Sequence, residues 1–214
     1  MARYKAVVFD LDGTLLDTLT DIFNSVNVTI TKYGYQARTR QEIRAYLGNG
    51  SERLCRLSLP KAVREDEFQK IFQSFLTYYQ DHCHIATRPY DGITALLETL
   101  SQRGYKLAIV TNKPDGAAKE LRRSFFPLVD VALGQNSSMR KKPAPDMVEK
   151  ALEELGVEKA EAVYVGDSEV DKATADNSGL DCVLVTWGFR DQDVVEKMGA
   201  AHVIHRPEEL LEVI

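Results

Sequence analysis

Phe9-Asp10-Leu11-Asp12-Gly13-Thr14-Leu15 follows directly on the apolar segment Ala6-Val7-Val8-Phe9. The apolar segment reads as a buried β-strand, and a strand that ends in two acids delivers them to a site. In open α/β sheets such sites form outside the carboxyl ends of the strands. Strand side chains alternate with period two, so Asp10 and Asp12 share a side. Gly13 lets the chain turn sharply away, and Thr14 brings a hydroxyl to the same spot. A nucleophilic carboxylate, a second carboxyl for proton transfer and a hard cation explain this arrangement. Solvated acids at a turn would explain one aspartate but not the whole string.

Working outward, the chain from Ile93 onward alternates strand and helix patterns. Lys106–Thr111, Val129–Leu133, Ala162–Gly166 and Cys182–Val185 read as strands. Ile93, Leu96, Leu97 and Leu100 recur at helical spacing ahead of Gly104, and Met147, Ala151, Leu152 and Leu155 do so ahead of Gly156. The alternation predicts an α/β fold, Rossmann-like and doubly wound, with a mostly parallel sheet and right-handed crossovers.

The stretch between the first strand and Arg88 breaks this rhythm. Ile22, Val26 and Ile30 make one apolar stripe, and Phe68, Ile71, Phe72, Phe75 and Leu76 make another in a run starting near Arg64. No strand pattern intervenes. We therefore expect a catalytic core of residues 1–16 and 89–214, with residues 17–88 an all-helical cap domain. A helical insertion after the first strand sits over that strand's carboxyl end and is placed to act as a lid.

Three more strand ends offer chemistry. Thr111-Asn112-Lys113-Pro114 supplies a hydroxyl and an amide ahead of a helix start, a corner suited to phosphate as well as to plain capping. Lys142, in Lys142-Pro143-Ala144-Pro145-Asp146, would offset negative charge on a nucleophile and a phosphate. Gly166-Asp167-Ser168-Glu169-Val170-Asp171 ends a strand in acids. Asp167 would reach a cation first, and Asp171 would hold a water ligand or the lysine; Glu169 fits a dipole-favoured helix start better.

These four motifs, in order and placement from Phe9 to Asp171, resemble the haloacid dehalogenase superfamily. The helical insertion resembles that superfamily's C1 cap. The loop Leu47-Gly48-Asn49-Gly50 resembles the substrate loop of bacterial phosphoglycolate phosphatases, and Thr111-Asn112-Lys113-Pro114 is similar to that branch as well. The resemblance implies a Mg²⁺-dependent phosphatase. Asp10 attacks phosphorus to give an aspartyl-phosphate, and Asp12 protonates the leaving oxygen and then deprotonates water. Mg²⁺ takes the Asp10 carboxylate, the Asp12 backbone carbonyl and Asp167. Thr111, Asn112 (through its backbone N–H, with that of Leu11) and Lys142 hold the phosphoryl oxygens, with Asp171 supporting the metal and Lys142. Gly48, Asn49 and Gly50 form the substrate loop. A dehalogenase, attacking carbon, has no need of Asp12.

The resemblance favours 2-phosphoglycolate as substrate, with pyrophosphate, a nucleotide or a sugar phosphate (hydrolysed or isomerised) as alternatives. A different class is a phospho-aspartate signalling module, which also uses strand-end acids, a threonine and a lysine. Such modules are shorter and lack a helical lid.

Other features carry less. His82-Cys83-His84 has no partner cluster nearby and reads as a helix end. Arg44 and Arg53 flank the Gly48–Gly50 loop and read either as solvated or as facing a substrate carboxylate. Trp187-Gly188-Phe189-Arg190 reads as packing or as a border of the site. Pro207–Leu211 reads as a final helix.

A net charge of −5 over 214 residues argues against a general nucleic-acid surface. No apolar stretch approaches the roughly 20 residues of a bilayer span. Met1–Lys5 leads straight into the first strand, leaving no room for a signal peptide. Cys55, Cys83 and Cys182 form neither a disulfide framework nor a zinc pattern. The expectation is a cytoplasmic protein, monomer or homodimer, acting on a small phosphorylated metabolite.

Overall fold

The computed structural model describes residues 3–214. Strand β1 (Ala6–Phe9) alternates between two apolar layers. Val7 and Phe9 pack with Leu107, Ile109, Val163 and Val165 on one face of the sheet. Ala6 and Val8 pack with Ala108, Val110, Ala162 and Tyr164 on the other. A strand buried on both faces sits at the centre of a parallel sheet, and β1 does so. It pairs in parallel with β4 (Lys106–Pro114) and β6 (Ala162–Gly166), and the six-stranded order is β5-β4-β1-β6-β7-β8. The outer strands are β5 (Val131–Gln135), β7 (Asp181–Val185) and β8 (His202–Ile204), all parallel to their neighbours. The α/β class holds, with every pair in this sheet parallel.

Helices cover both faces. On the first lie α5 (Ile93–Gln102), α6 (Asp115–Phe125) and the terminal α10 (Leu210–Val213). On the second lie α7 (Asp146–Leu155) and α8 (Glu169–Ser178). A short α9 (Gln192–Val195) precedes β8. The spacing of Met147, Ala151 and Leu152 buries those residues, and Gly156 ends α7 with φ +67°, the left-handed conformation that glycine adopts without strain. The final helix expected over Pro207–Leu211 forms as a 3₁₀ turn, Pro207–Glu209, running directly into α10.

Between β1 and α5 the chain makes α1 (Leu19–Lys32), α2 (Arg40–Tyr46), α3 (Ser51–Ser58) and α4 (Glu65–His82). Ile22, Val26 and Ile30 of α1 are buried, as are Phe68, Ile71, Phe75 and Tyr79 of α4. The chain enters this helical segment through β2 (Leu16–Asp17) and leaves it through β3 (Arg88–Pro89), which pair antiparallel. Asp21, at the start of α1, accepts hydrogen bonds from the backbone N–H groups of Ala86 and Thr87, tying the two crossings together. Two residues per strand give no periodicity to read, which is why the sequence showed no strand there.

Candidate active site

The carboxyl ends of β1, β4 and β6 converge. Asp10 and Asp12 leave β1, Thr111, Asn112 and Lys113 end β4, and Asp167 follows β6. Lys142 reaches in from the loop before α7, where Lys142-Pro143 is a cis peptide. Asp10, Thr111, Asn112, Lys142, Asp167 and Asp171 are all buried.

Lys142 organises one half of the site. Its ammonium donates to Asp10 Oδ1 at 2.6 Å, Asp171 Oδ1 at 2.8 Å and the Tyr164 hydroxyl at 2.9 Å, using all three N–H donors. Asp171 lies in the first turn of α8, where Ser168 caps the helix. Its Oδ2 accepts from Ser168 Oγ at 2.6 Å and from the backbone N–H groups of Ser168 and Asp167 at 3.1 and 3.2 Å. Burial disfavours charge on Asp171, but Lys142 and these donors outweigh it and lower its pKa.

Asp10 and Asp167 are less well compensated. Burial, opposed by Lys142 and reinforced by Asp171 and Asp12, pushes Asp10 up to about 7. Burial and the charges of Asp171 and Asp10 hold Asp167 well above the ordinary carboxylate range, although Phe189 N–H donates to its Oδ2 at 2.6 Å. One oxygen each of Asp10, Asp167 and Asp171 lies within 4.8 Å of the others, the one such cluster among the described residues. One ammonium pairs with two of these three buried carboxylates, and buried charge of this kind requires either protons or a cation. An all-oxygen set fits a hard divalent ion.

Asp12 points elsewhere. Lys113 Nζ lies 2.7 and 3.0 Å from its two carboxylate oxygens and also donates to the Tyr79 hydroxyl of α4. Asp12 therefore stands outside the carboxylate cluster, so any metal contact from this residue would have to come from its backbone. A cavity of about 50 Å³ opens over Asp10, Asp12, Thr111 and Lys113, with Ile22, Leu54, Phe75 and Tyr79 of the helical segment also in its wall.

The Gly48–Gly50 loop borders the same cavity, with φ +106° at Gly48 and +87° at Gly50. Its backbone is docked on the core through three successive carbonyls. Leu47 O accepts from Arg190 at 2.9 Å, Gly48 O from Asn112 Nδ2 at 3.1 Å and Asn49 O from Lys141 Nζ at 3.2 Å. The Asn112 side chain is further used by the Lys142 backbone, donating to its carbonyl at 3.1 Å and accepting from its N–H at 2.8 Å. Both N–H groups and the oxygen of its side-chain amide are thereby taken.

Other residues singled out in the sequence fall in and around this frame. Thr111 lines the cavity. Among the described residues the buried Thr14 hydroxyl has no partner, while its carbonyl accepts from Trp187 Nε1 at 3.0 Å. Arg44 pairs with Asp191 at 2.8 Å and Arg53 is exposed, so neither lines the cavity. His82 ends α4 with its ring stacked 3.8 Å from that of Tyr78. Lys141 is exposed, and its Nζ donates to Asn49 O.

Sequence reading gave no role to Lys113, Tyr79 or Tyr164, and named Arg190 only within a stretch read as packing or as a border of the site. Lys113 directly follows the Thr111-Asn112 pair. Tyr79 lies one helical turn beyond Phe75. Tyr164 is a phenol in the middle of an apolar strand, a placement that asks for a buried partner.

Residues 7–185 match the sequence profile of the haloacid dehalogenase-like hydrolase family. The chain is 33% identical to the phosphoglycolate phosphatase of Neisseria meningitidis, over 90% of this chain and 85% of that one. It is 29% identical to the N-acetylmuramic acid 6-phosphate phosphatase of Pseudomonas aeruginosa, over 99% and 95%. A crystal structure from Lactobacillus delbrueckii subsp. bulgaricus, of a protein provisionally named a phosphoglycolate phosphatase, superposes with a TM-score of 0.92 at 37% identity, covering 100% of this chain and 99% of the other.

Proposed function

The chain belongs to the haloacid dehalogenase-like hydrolases and is a phosphoric monoester hydrolase; from that premise we propose that it cleaves a small phosphomonoester, 2-phosphoglycolate first among candidates, through an aspartyl-phosphate on Asp10. The observation that carries the reading is that Asp10 and Asp12, two residues apart on one strand end, line a single cavity and are each held by a different buried lysine.

Lys142 keeps Asp10 Oδ1 engaged at 2.6 Å, which leaves the other carboxylate oxygen to attack phosphorus. The bond to the ester oxygen breaks, and Asp12 gives that oxygen its proton. Asp12 then takes a proton from water, which attacks phosphorus, releases orthophosphate and restores the Asp10 carboxylate. Thr111 and the Asn112 backbone N–H hold phosphoryl oxygens. Residues 17–88 act as a cap over a core of 1–16 and 89–214, moving about the β2–β3 crossing and excluding water when closed.

The carboxylates of Asp10 and Asp167 would hold Mg²⁺, with Asp171 supporting the site and the Asp12 backbone carbonyl a further donor. When bound, the ion neutralises charge between an anionic nucleophile and an anionic phosphate.

The reading is tested by phosphate release from 2-phosphoglycolate, pyrophosphate, nucleoside monophosphates and hexose phosphates, with Mg²⁺ and with chelator, and Asp10→Asn as blank. Mg²⁺-dependent release that disappears in Asp10→Asn is expected. Turnover near the wild-type level in that variant, or no release from any compound, would sink the reading.

A further inference from the structure

Asp12 is held from one side only. Among the described residues its carboxylate has one hydrogen-bond partner, Lys113, whose Nζ lies 2.7 and 3.0 Å from the two oxygens. Lys113 donates as well to the Tyr79 hydroxyl. These acceptors take all three N–H donors of the ammonium, so Lys113 has nothing left to bind elsewhere. The Lys113 side chain is 1% exposed and Tyr79 is buried. The Tyr79 ring stacks on Phe75 at 5.4 Å, and Lys113 Nζ sits 4.8 Å from the centroid of the same ring. Packing locks the phenol, the phenol locks the ammonium, and the ammonium fixes the plane of the Asp12 carboxylate.

This chain of contacts crosses the molecule. Tyr79 belongs to α4, Lys113 to β4, and Asp12 follows β1. One residue beyond Tyr79, Gln80 Oε1 lies 3.0 Å from where a Cβ on Gly116 would stand, so α4 sits tightly on the first turn of α6. The support of Asp12 is therefore complete only while the helical segment is seated on the core. A carboxylate that accepts from an ammonium through both oxygens is in the form that takes a proton, not the form that gives one.

We propose that Lys113 and Tyr79 are positioning residues that aim Asp12 as the base of the hydrolytic half of the reaction. The inference rests on the aspartyl-phosphate reading above. In that half, the oxygen of water attacks phosphorus and Asp12 takes one of its protons. The bond from phosphorus to the Asp10 oxygen breaks, and its electron pair returns to the Asp10 carboxylate.

The experiment mixes the Mg²⁺-loaded protein with para-nitrophenyl phosphate, whose leaving oxygen needs no proton, and with 2-phosphoglycolate, whose leaving oxygen does. It reads kcat, KM and, after an acid quench, the phosphoryl group retained on the protein by mass. Asp12→Asn keeps the shape, takes no proton, and sets the ceiling for retention. Tyr79→Phe keeps the Lys113 charge and removes its anchor. On the aryl phosphate it is expected to lower kcat about 10-fold. KM should fall alongside, leaving kcat/KM within about 3-fold, because kcat/KM ends at release of nitrophenolate whereas kcat includes hydrolysis. Retained phosphate should rise above that of the unaltered protein on both substrates. Lys113→Met is expected to lower kcat about 100-fold, most of what a positioned base contributes, and to retain still more; if it does not fold, Tyr79→Phe decides alone. A fall in kcat with KM unchanged and no gain in retained phosphate would make both residues packing and overturn the inference. So would a Tyr79→Phe kcat within about 2-fold of the unaltered protein. Either result leaves the phosphatase reading standing. No phosphate retained even in Asp12→Asn would remove the aspartyl-phosphate and overturn both.

Discussion

Lys142 and Asp10, 132 residues apart in sequence, meet at 2.6 Å where both side chains are at least nine-tenths buried. Lys142 also neutralises Asp171 at 2.8 Å. Removing one partner of a buried ionic group leaves the others desolvated and unpaired, which costs about 3–5 kcal/mol. Lys142→Met in metal-free protein is therefore expected to lower unfolding free energy by roughly that amount, read from urea denaturation. A loss under ~1 kcal/mol, the scale of an exposed pair, would mean that Lys142 is not what compensates this cluster.

Asp10 carries a stability cost that should show in pH dependence. Burial raises its pKa to about 7 in the folded protein, from 3.8 when unfolded. Between those values the folded state holds a proton that the unfolded state has lost, so this group's contribution to stability falls as pH rises through the window and is flat above it. With a chelator present, Asp10→Asn should equal or exceed the wild type in thermal midpoint at pH 8. That advantage should shrink as pH drops toward 4. A gap that widens on acidification would contradict the assignment of Asp10 as a strained, functional acid.

The same protons should be displaced by metal. Both Asp10 and Asp167 are raised by burial, and a divalent ion binds their ionised forms. Calorimetric Mg²⁺ titrations in two buffers of different ionisation enthalpy should report proton release near pH 6.5. Affinity should tighten between pH 6 and pH 8, by up to ~10-fold per pH unit for each proton displaced. Asp10→Asn should release fewer protons. Binding that weakens as pH rises would remove these carboxylates as the metal ligands.

Much of this site can be read from the sequence because its groups stand at strand ends. Asp10, Asp12, Thr111 and Asp167 each follow an apolar run that announces a strand, and Lys142 and Asp171 flank helix starts. What escaped the reading depends on tertiary closure. Tyr79 looks like another member of the Phe68–Phe75 stripe until α4 is laid over β4. Tyr164 looks like strand packing until Lys142 arrives beneath it. The apolar β1 segment does not say which lysine goes to which aspartate, and Lys113 takes Asp12 while Lys142 takes Asp10. Strand β8, three residues long, is too short to show alternation.

The loop between α2 and α3 meets the core through its backbone, and this yields a prediction that separates two arginines. Arg190 donates to Leu47 O at 2.9 Å, and its guanidinium is fixed by Glu169 at 2.7 Å with a side chain only 15% exposed. Arg44 also bridges the segments, but its partner Asp191 is 70% exposed. A hydrogen bond from a charged, mostly buried group contributes about 1.5–3 kcal/mol, against at most ~1 kcal/mol for the solvated pair. If the helical segment closes on the core as a cap, Arg190→Met weakens the closed form far more than Arg44→Met does. The expected outcome is a drop in kcat/KM of about 10-fold or more for Arg190→Met, with KM raised, and a change within about 3-fold for Arg44→Met. Limited proteolysis of the 47–50 loop should speed up in the same order. Equal effects, or a larger one from Arg44→Met, would show that the loop carbonyls are not what holds the segment down.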